Sequence, residues 1–363
     1  MEELYRHFGS SCLSVEEYSQ WSLFETTEIW QDRNSGRLWI QQESFSPQHL
    51  PAWRSGKSAK HYPSSEPLSR HVRLVVVGKD PKQSQKEKCL GCLPQIVDDF
   101  GLRLAYDYAM SCVTIVTELP HQSKTDCKVY TYTVVYHHKL IAIWSFTRPT
   151  ASAKPMPTDS LPTQDCNYKP SHLTQGIILA GPQERAILKG LLRKQWDPTL
   201  SLHAMFPAFL CGLLMSQQVD QMQSYIKEAL RRVEVRTGHH IFTGRQEQPA
   251  MGSLAYLSAQ MSGFATKLAS TTRKIQVTRE LQSFMLAHSQ EAAEFGSDAD
   301  VDATVKIVEH HVEFMDKRLE MQLLDNGLAN ERVRIQLNAV ILPSRLYVHL
   351  LTLLDIQSHR TEG

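Results

Sequence analysis

The stretch VYTYTVVYHHKLIAIWSF, residues 129–146, decides the fold class of the first part of the chain. Tyrosine or valine occupies every second position from Tyr130 to Tyr136, the period-two pattern of a strand. The polar residues 137–139 interrupt this pattern, and the apolar residues 140–144 resume it. The stretch therefore predicts a β-hairpin.

Short β-branched runs at 37–40, 71–77 and 112–116 predict further strands, and 93–100 predicts a short helix. Residues 151–170 contain four prolines and almost no aliphatic side chains, which indicates a domain boundary. The predicted division has four segments: a mixed α/β body with the hairpin at 1–150, a Pro-rich linker at 151–170, a helical subdomain at 171–251, and a long helical hairpin or stalk with a divergent C-terminal tail at 252–363.

Two long helices are predicted in the last segment, because apolar residues recur there at alternating three- and four-residue steps. In the first helix these are Leu254, Leu257, Met261, Phe264, Leu268, Thr271, Ile275 and Thr278. In the second they are Val301, Val305, Val308, Val312, Met315 and Leu319, and after a stutter near residues 323–324 we expect Leu324, Leu328 and Ile335 to continue the series. The predicted fold class is α+β: an N-terminal mixed α/β body followed by a helical region with two long antiparallel, stalk-like helices.

Charge, cysteine content and hydropathy indicate which partners, which cellular compartment and which membrane topology are expected. Lys and Arg total 39 and Asp and Glu total 38, so a nucleic-acid partner is not expected. Seven irregularly spaced cysteines and an acidic, polar start predict reduced thiols and a cytoplasmic protein. No direct membrane span is expected: 202–215 is too short, and 339–356 contains Pro343 and Arg345. Pro343 is also expected to interrupt the last helix.

The order of these segments resembles the cytosolic part of fungal CorA-like divalent-cation transporter proteins. The hairpin, the segment LRKQWDPTLSLHAMFPAFL and the stretch RVRIQLNAV carry the resemblance, which covers roughly residues 90–340. It implies a pentameric magnesium channel whose stalk helix runs into the first membrane helix, with Gly-Met-Asn at the end of that membrane helix. Here Gly-Met-Asn is absent and both membrane helices are missing, so transport by this chain alone is not expected.

The turn between the long helices offers a candidate metal site. Asp298, Asp300 and Asp302 have the spacing of positions 1, 3 and 5 of an EF-hand loop, and such carboxylates suit Mg²⁺. Ala303 and Lys306 occupy positions where that loop needs glycine and an oxygen ligand. The alternative to a weak Mg²⁺ site is a helix N-terminus, where Ser297 and Asp300 form a capping box and the acidic residues complement the helix dipole.

The remaining motifs predict no enzyme. Cys89 and Cys92 form a lone CxxC pair with no second pair to complete a zinc site. Paired histidines at 137–138, 239–240 and 310–311 lack the spacing of a metalloprotease motif, and Gly78-Lys79 lacks the glycine of a phosphate-binding loop. No nucleophile motif is present either.

Two functions follow as hypotheses. The first is a soluble, non-enzymatic remnant or regulatory relative of a CorA-like metal-ion transporter, a cytosolic domain without a pore. The second is a helical protein-interaction scaffold with no ion linkage. In either case the expected partners are copies of this chain or, for the first, full-length CorA-like relatives, bound through the stalk helices. The only cofactor considered is Mg²⁺.

Overall fold

The computed structural model describes residues 21–32, 37–45, 53, 68–79, 92–124, 127–137, 139–149, 173–194, 196–237, 251–293 and 298–361. Within the described helices, the side chains of 198–199, 251–253, 290–293, 298–304 and 341–361 lie outside the described part. The chain divides into two compact units. One comprises Met1–Leu214 and Glu280–Val312, and the other comprises Met215–Arg279 and Glu313–Gly363.

The first unit is built on a seven-stranded mixed sheet. Its strands are β1 (Trp21–Asp32), β2 (Leu38–Phe45), β3 (Leu68–Lys79), β4 (Thr114–Lys124), β5 (Cys127–Tyr136), β6 (Leu140–Pro149) and β7 (Leu173–Ala180). Their order is β2-β1-β3-β7-β6-β5-β4. Only the central pair β3 and β7 is parallel, and the other neighbours are antiparallel.

One face of the sheet packs on two short helices. These are α1 (Cys92–Asp99) and α2 (Arg103–Ser111). Their buried side chains join those of every second residue of the central strands, such as Val75, Ile143 and Ile177, in a continuous core. The alternation of strand side chains between the two faces explains why neighbouring residues such as Trp144 lie on the opposite face.

Five more helices complete the described structure. They are α3 (Pro182–Leu192), α4 (Pro198–Leu202), α5 (Phe206–Thr237), α6 (Met251–Ala293) and α7 (Asp298–Thr361). α5 begins next to Pro207, whose fixed φ suits the first helical turn. α3, α4 and α5 all lie within 171–251, the range assigned to a helical subdomain.

The fold class is confirmed as α+β, and the predicted hairpin is confirmed with it. Tyr136 pairs with Leu140 at its turn, where His137 has φ of 50°. Two strands were not predicted, β1 and β7. β7 lies within 171–251, the range assigned to a helical subdomain, and it occupies the middle of the sheet. Its run Ile177–Ala180 is buried, the pattern of a strand covered on both faces, which periodicity alone does not separate from helix.

The second unit is a bundle of α5, α6 and α7 segments. Contacts between α6 and α7 run in opposite directions along the chain: Asn326 meets Leu268, and Asp316 meets Arg279. Contacts between α5 and α7 run in the same direction, from Asp220–Arg318 to Glu234–Arg332. α6 and α7 are therefore antiparallel, as predicted, and α5 lies parallel to α7.

The expected interruption at Pro343 is wrong, because α7 continues as helix to Thr361. Proline within a helix removes one backbone hydrogen bond and costs about 3 kcal/mol or more. The residues after Pro343 are rich in leucine, a good helix former, and the helix continues through them. None of the helices in the described part of the chain combines the length and hydropathy that crossing a bilayer requires.

Candidate interaction surface of the helical bundle

The inner face of α7 follows one uninterrupted heptad pattern. The steps of four and three residues predicted from Val305 to Leu319 continue without a stutter to Val340. The inner positions after Leu319 are all buried, and they are Gln322, Asn326, Ala329, Val333, Gln336 and Val340. The predicted shift of phase to Leu324, Leu328 and Ile335 is wrong, because these three side chains are exposed. On α6 the predicted series from Leu254 to Thr278 is confirmed as buried.

Polar side chains fill the middle of this inner face, and the partner helices satisfy their donors. The Gln322 amide nitrogen lies 3.0 Å from the Ser216 carbonyl oxygen and 2.5 Å from Asp220 Oδ1. The Asn326 amide donates to the Leu268 carbonyl at 3.0 Å and to Thr272 Oγ1 at 2.6 Å. Gln322 and Asn326 are each only 3% exposed. These bonds tie α7 to both α5 and α6.

Ion pairs continue the contact between α5 and α7. Arg318 pairs with Asp220, and Lys227 Nζ lies 2.7 Å from Asp325 Oδ2. Near the end of α5, Thr237 Oγ1 lies 2.6 Å from Gln336 Oε1. Buried polar residues at inner heptad positions select one register, because any shift leaves them without partners. We interpret the polar seam as a device that fixes how the helices align.

The outer face of α7 carries an apolar stripe that no described helix covers. Its residues are Phe314, Met321, Leu324, Leu328 and Ile335, which are between 48% and 68% exposed. They also follow heptad spacing, so α7 carries two interleaved seams. The regular spacing of Leu324, Leu328 and Ile335 is visible in the sequence, but the prediction from the sequence places these residues on the inner face.

The predicted metal ligands lie at the start of α7. Asp298, Asp300 and Asp302 are in its first two turns, as the capping alternative requires, but their side chains are outside the described part of the chain. The Mg²⁺ hypothesis therefore stays a prediction. Elsewhere, in the described residues, no cluster of three or more His, Cys, Asp or Glu could hold a metal ion.

The other sequence candidates form no site among the residues that the structure describes. Cys89, His138, His239 and His240 lie outside the described residues, and Cys92 is partly buried at the start of α1. His311 Nδ1 lies 2.7 Å from the Ile307 carbonyl oxygen of its own helix. Gly78 packs closely under the side chain of Arg185, which leaves no cradle for a phosphate at that strand end.

A histidine and aromatic cluster lies on the sheet face of the first unit that carries Trp144. His288 packs against the Tyr132 ring, with 5.6 Å between centroids, and its Nδ1 lies 3.3 Å from Glu118 Oε2. His203 accepts the Met205 backbone N–H at Nδ1, over 3.1 Å. Burial lowers the pKa of His203 to about 4, and the backbone of Ser289 acts in the opposite direction. This imidazole is neutral at physiological pH, which fits a structural role.

A buried arginine lies on the other face of the sheet. The Arg73 guanidinium is 3.6 Å from the Trp53 ring centroid, and its Nε lies 3.2 Å from Glu28 Oε1. Desolvation lowers the pKa of Arg73 to about 10, chiefly by burial and then by the nearby charge of Arg70. Because Glu28 and the indole already hold the cation, this cluster serves the core of the sheet.

A polar cleft lies beside β1, β2 and α3. Glu25, Gln42, Glu43, Lys189 and Arg193 are among the residues that line it, and Lys189 Nζ is 3.0 Å from Glu25 Oε1. Its volume is about 80 Å³. Small-molecule sites usually have roughly 300–1,000 Å³, so the cleft is too small for a cofactor. The polar seam and the exposed apolar stripe make the helical bundle the candidate functional site.

Comparisons with known proteins leave the chain without an assigned family. No protein-family model matches it, and no curated protein matches it. Among solved structures, the full-length CmaX protein is similar with a TM-score of 0.43 and 12% sequence identity, over 93% of this chain and 83% of that chain. At so low a TM-score and identity, this likeness assigns neither a family nor a function. The fold itself defines the class: an α+β protein whose sheet unit is combined with a bundle of long helices.

Proposed function

We propose that this chain is a non-enzymatic regulatory relative of the cytosolic part of CorA-like divalent-cation transporters. In this proposal it acts in the cytoplasm, through its long helices, on copies of itself or on full-length relatives. The observation that carries the proposal is the combination of a mixed sheet unit with antiparallel helices of 43 and 64 residues.

The segments that carry the family resemblance have structural roles that support this proposal. In the segment 192–210, the Trp196 ring packs edge-on against Phe206 and Phe209, with centroids 6.3 and 5.7 Å apart. In the stretch 332–340, Val333 and Val340 belong to the bundle core, and Arg332 pairs with α5. Both stretches therefore pack as elements of a folded body.

A transport assay with a full-length CorA-like transporter tests this proposal. We expect the chain to co-elute with the purified transporter and to change the rate of Mg²⁺ uptake when both are present. We expect the chain alone to restore no uptake in cells that lack their own magnesium transporter. Uptake by the chain alone, or failure to bind the transporter at all, would overturn the regulatory proposal.

A helical interaction scaffold with no ion linkage is the second candidate, and the exposed apolar stripe on α7 favours it. Thermal unfolding with and without millimolar Mg²⁺ separates the two. Stabilisation by Mg²⁺ that is lost on changing Asp298, Asp300 and Asp302 together to Asn supports ion sensing, because a ligand that binds only the folded state raises its stability. An unchanged unfolding temperature supports the scaffold.

A further inference from the structure

The apolar stripe on α7 is long and regular enough to form a helix–helix interface. From Phe314 to Ile335 it extends over 21 residues, or roughly 31 Å at 1.5 Å per residue. Its members are separated by steps of seven, three, four and seven residues, the spacing of a coiled-coil seam. Exposed apolar surface of this kind on a monomer usually marks a binding site.

Two charged residues complete the seam at the positions that the apolar residues leave open. Lys317 and Glu331 are each seven residues from Leu324, on opposite sides of it. Both are exposed, and each already pairs within its own helix, Lys317 with Glu313 and Glu331 with Arg334. Along the line of the stripe, the lysine therefore lies on one side of the apolar centre at Leu324 and the glutamate lies on the other side.

Two copies of this stretch have complementary charges when they lie side by side in opposite directions. Beside an antiparallel second copy centred at Leu324, Lys317 lies opposite Glu331 of the other chain, and Glu313 lies one residue from the position opposite Arg334. Phe314 then lies within one residue of the position opposite Ile335, and Met321 lies within one residue of the position opposite Leu328. A parallel pair in register would instead place Lys317 beside Lys317 and Glu331 beside Glu331, which is repulsive.

We propose that the outer stripe of α7 binds the same stripe of a second copy, antiparallel, with Leu324 on the two-fold axis. Such an interface is isologous and closed, since each residue meets its counterpart from the reversed chain. This dimer is one form of the self-association that the proposed function includes, and the inference rests on that proposed function. Because it is tested on this chain alone, its failure is distinct from a failure to bind or regulate a transporter.

Sedimentation velocity on the full chain, from about 1 to 100 µM, tests the association. We expect the sedimentation coefficient to rise with concentration, and Leu324→Glu to weaken dimerisation at least about tenfold, because two carboxylates would meet at the axis. Tyr256→Glu is the matched control: Tyr256 is 63% exposed on α6, outside the stripe, and its change leaves dimerisation intact. A wild-type chain that stays monomeric, or a Leu324→Glu variant that dimerises normally, overturns the proposal.

Charge exchange tests the orientation. Lys317→Glu is expected to weaken the dimer several-fold, and Lys317→Glu combined with Glu331→Lys to restore it to within about twofold, because the reversed pairs regain opposite charges. A parallel dimer gains nothing from the double exchange, so absence of restoration overturns the antiparallel arrangement. Circular dichroism of each variant at low concentration checks that the exposed changes leave the fold intact.

Disulfide formation gives an independent readout. In an equal mixture of Lys317→Cys and Glu331→Cys chains, we expect oxidation to join residue 317 of one chain to residue 331 of the other. Because the chain has 7 cysteines of its own, the cross-linked peptides are identified by mass spectrometry. Predominant 317–317 and 331–331 cross-links would overturn the antiparallel arrangement.

Discussion

Glu234 of α5 and Arg332 of α7 form an ion pair with two hydrogen bonds, from Nε to Oε1 at 2.8 Å and from Nη2 to Oε2 at 2.7 Å. Glu234 is 5% exposed, whereas the Arg332 side chain is 32% exposed. Because of this difference in exposure, losing one member of the pair has a different effect from losing the other. The arginine reaches water if its partner is lost, but the carboxylate does not.

We therefore expect Arg332→Met to destabilise the protein more than Glu234→Ala. Removing the arginine leaves a buried carboxylate without its cation, which costs about 2–3 kcal/mol after allowing for the partial exposure of the pair. Removing the glutamate should cost about 1–2 kcal/mol. Urea unfolding measures both. Lys227→Met, in a half-exposed pair of the same two helices, is the control and should cost less than about 1 kcal/mol. Equal losses for all three variants would contradict this account.

His203 should make stability depend on pH. Its pKa is lowered from 6.5 to about 4 in the folded protein by burial. Between these two values the unfolded chain binds a proton that the folded chain does not, so the free energy of unfolding falls as pH falls from about 6.5 to 4, by about 3 kcal/mol in all. The contribution is fully present above 6.5.

The variant His203→Asn isolates this effect, because an amide oxygen can accept the Met205 N–H but does not titrate in this range. Urea unfolding of both proteins should show that the wild type loses its advantage over the variant as pH falls from 7 to 4. A stability difference that stays constant across this range would show that His203 is not the group responsible.

Two glycines should respond to alanine in opposite directions. A Cβ at Gly263 of α6 would meet no other atom within 4 Å, and alanine favours a helix, so Gly263→Ala should stabilise by about 0.5–1 kcal/mol. A Cβ at Gly176 of β7 would lie 2.7 Å from the Ile143 carbonyl oxygen and 2.5 Å from Trp144 Cβ. Gly176→Ala should therefore lower the thermal unfolding temperature, since a backbone atom of β6 would have to move. Equal effects of the two changes on stability would contradict the space that the structure shows around these two glycines.

Cys211 should be the slowest described cysteine to react. It is fully buried in α5, and burial raises the pKa of its thiol to about 12. The thiolate is the reactive form, so a thiol reagent at neutral pH should label the partly buried Cys92, Cys112 and Cys127 before Cys211. Peptide mapping after timed labelling checks the order. Rapid labelling of Cys211 without unfolding would contradict the packing of α5.

Local pattern determined a large part of this structure from the sequence alone. The hairpin of β5 and β6 follows from strict alternation around Tyr132, and the buried seam of α6 follows from regular heptad steps. Each of these signals is carried by residues adjacent in one element, which makes them readable without knowing the partner. The same holds for the early α7 seam, from Val305 to Leu319.

The tertiary structure alone decided which face of the later α7 is buried. From hydropathy, Leu324, Leu328 and Ile335 belong inside, but the bundle buries Gln322, Asn326 and Gln336 instead. An amide can be buried only where another element supplies acceptors, and here these are Ser216 and Asp220 of α5 and Leu268 and Thr272 of α6. Those partners lie 54 to 106 residues away in the chain, so a local sequence pattern does not predict them. Their burial is what leaves the apolar stripe exposed.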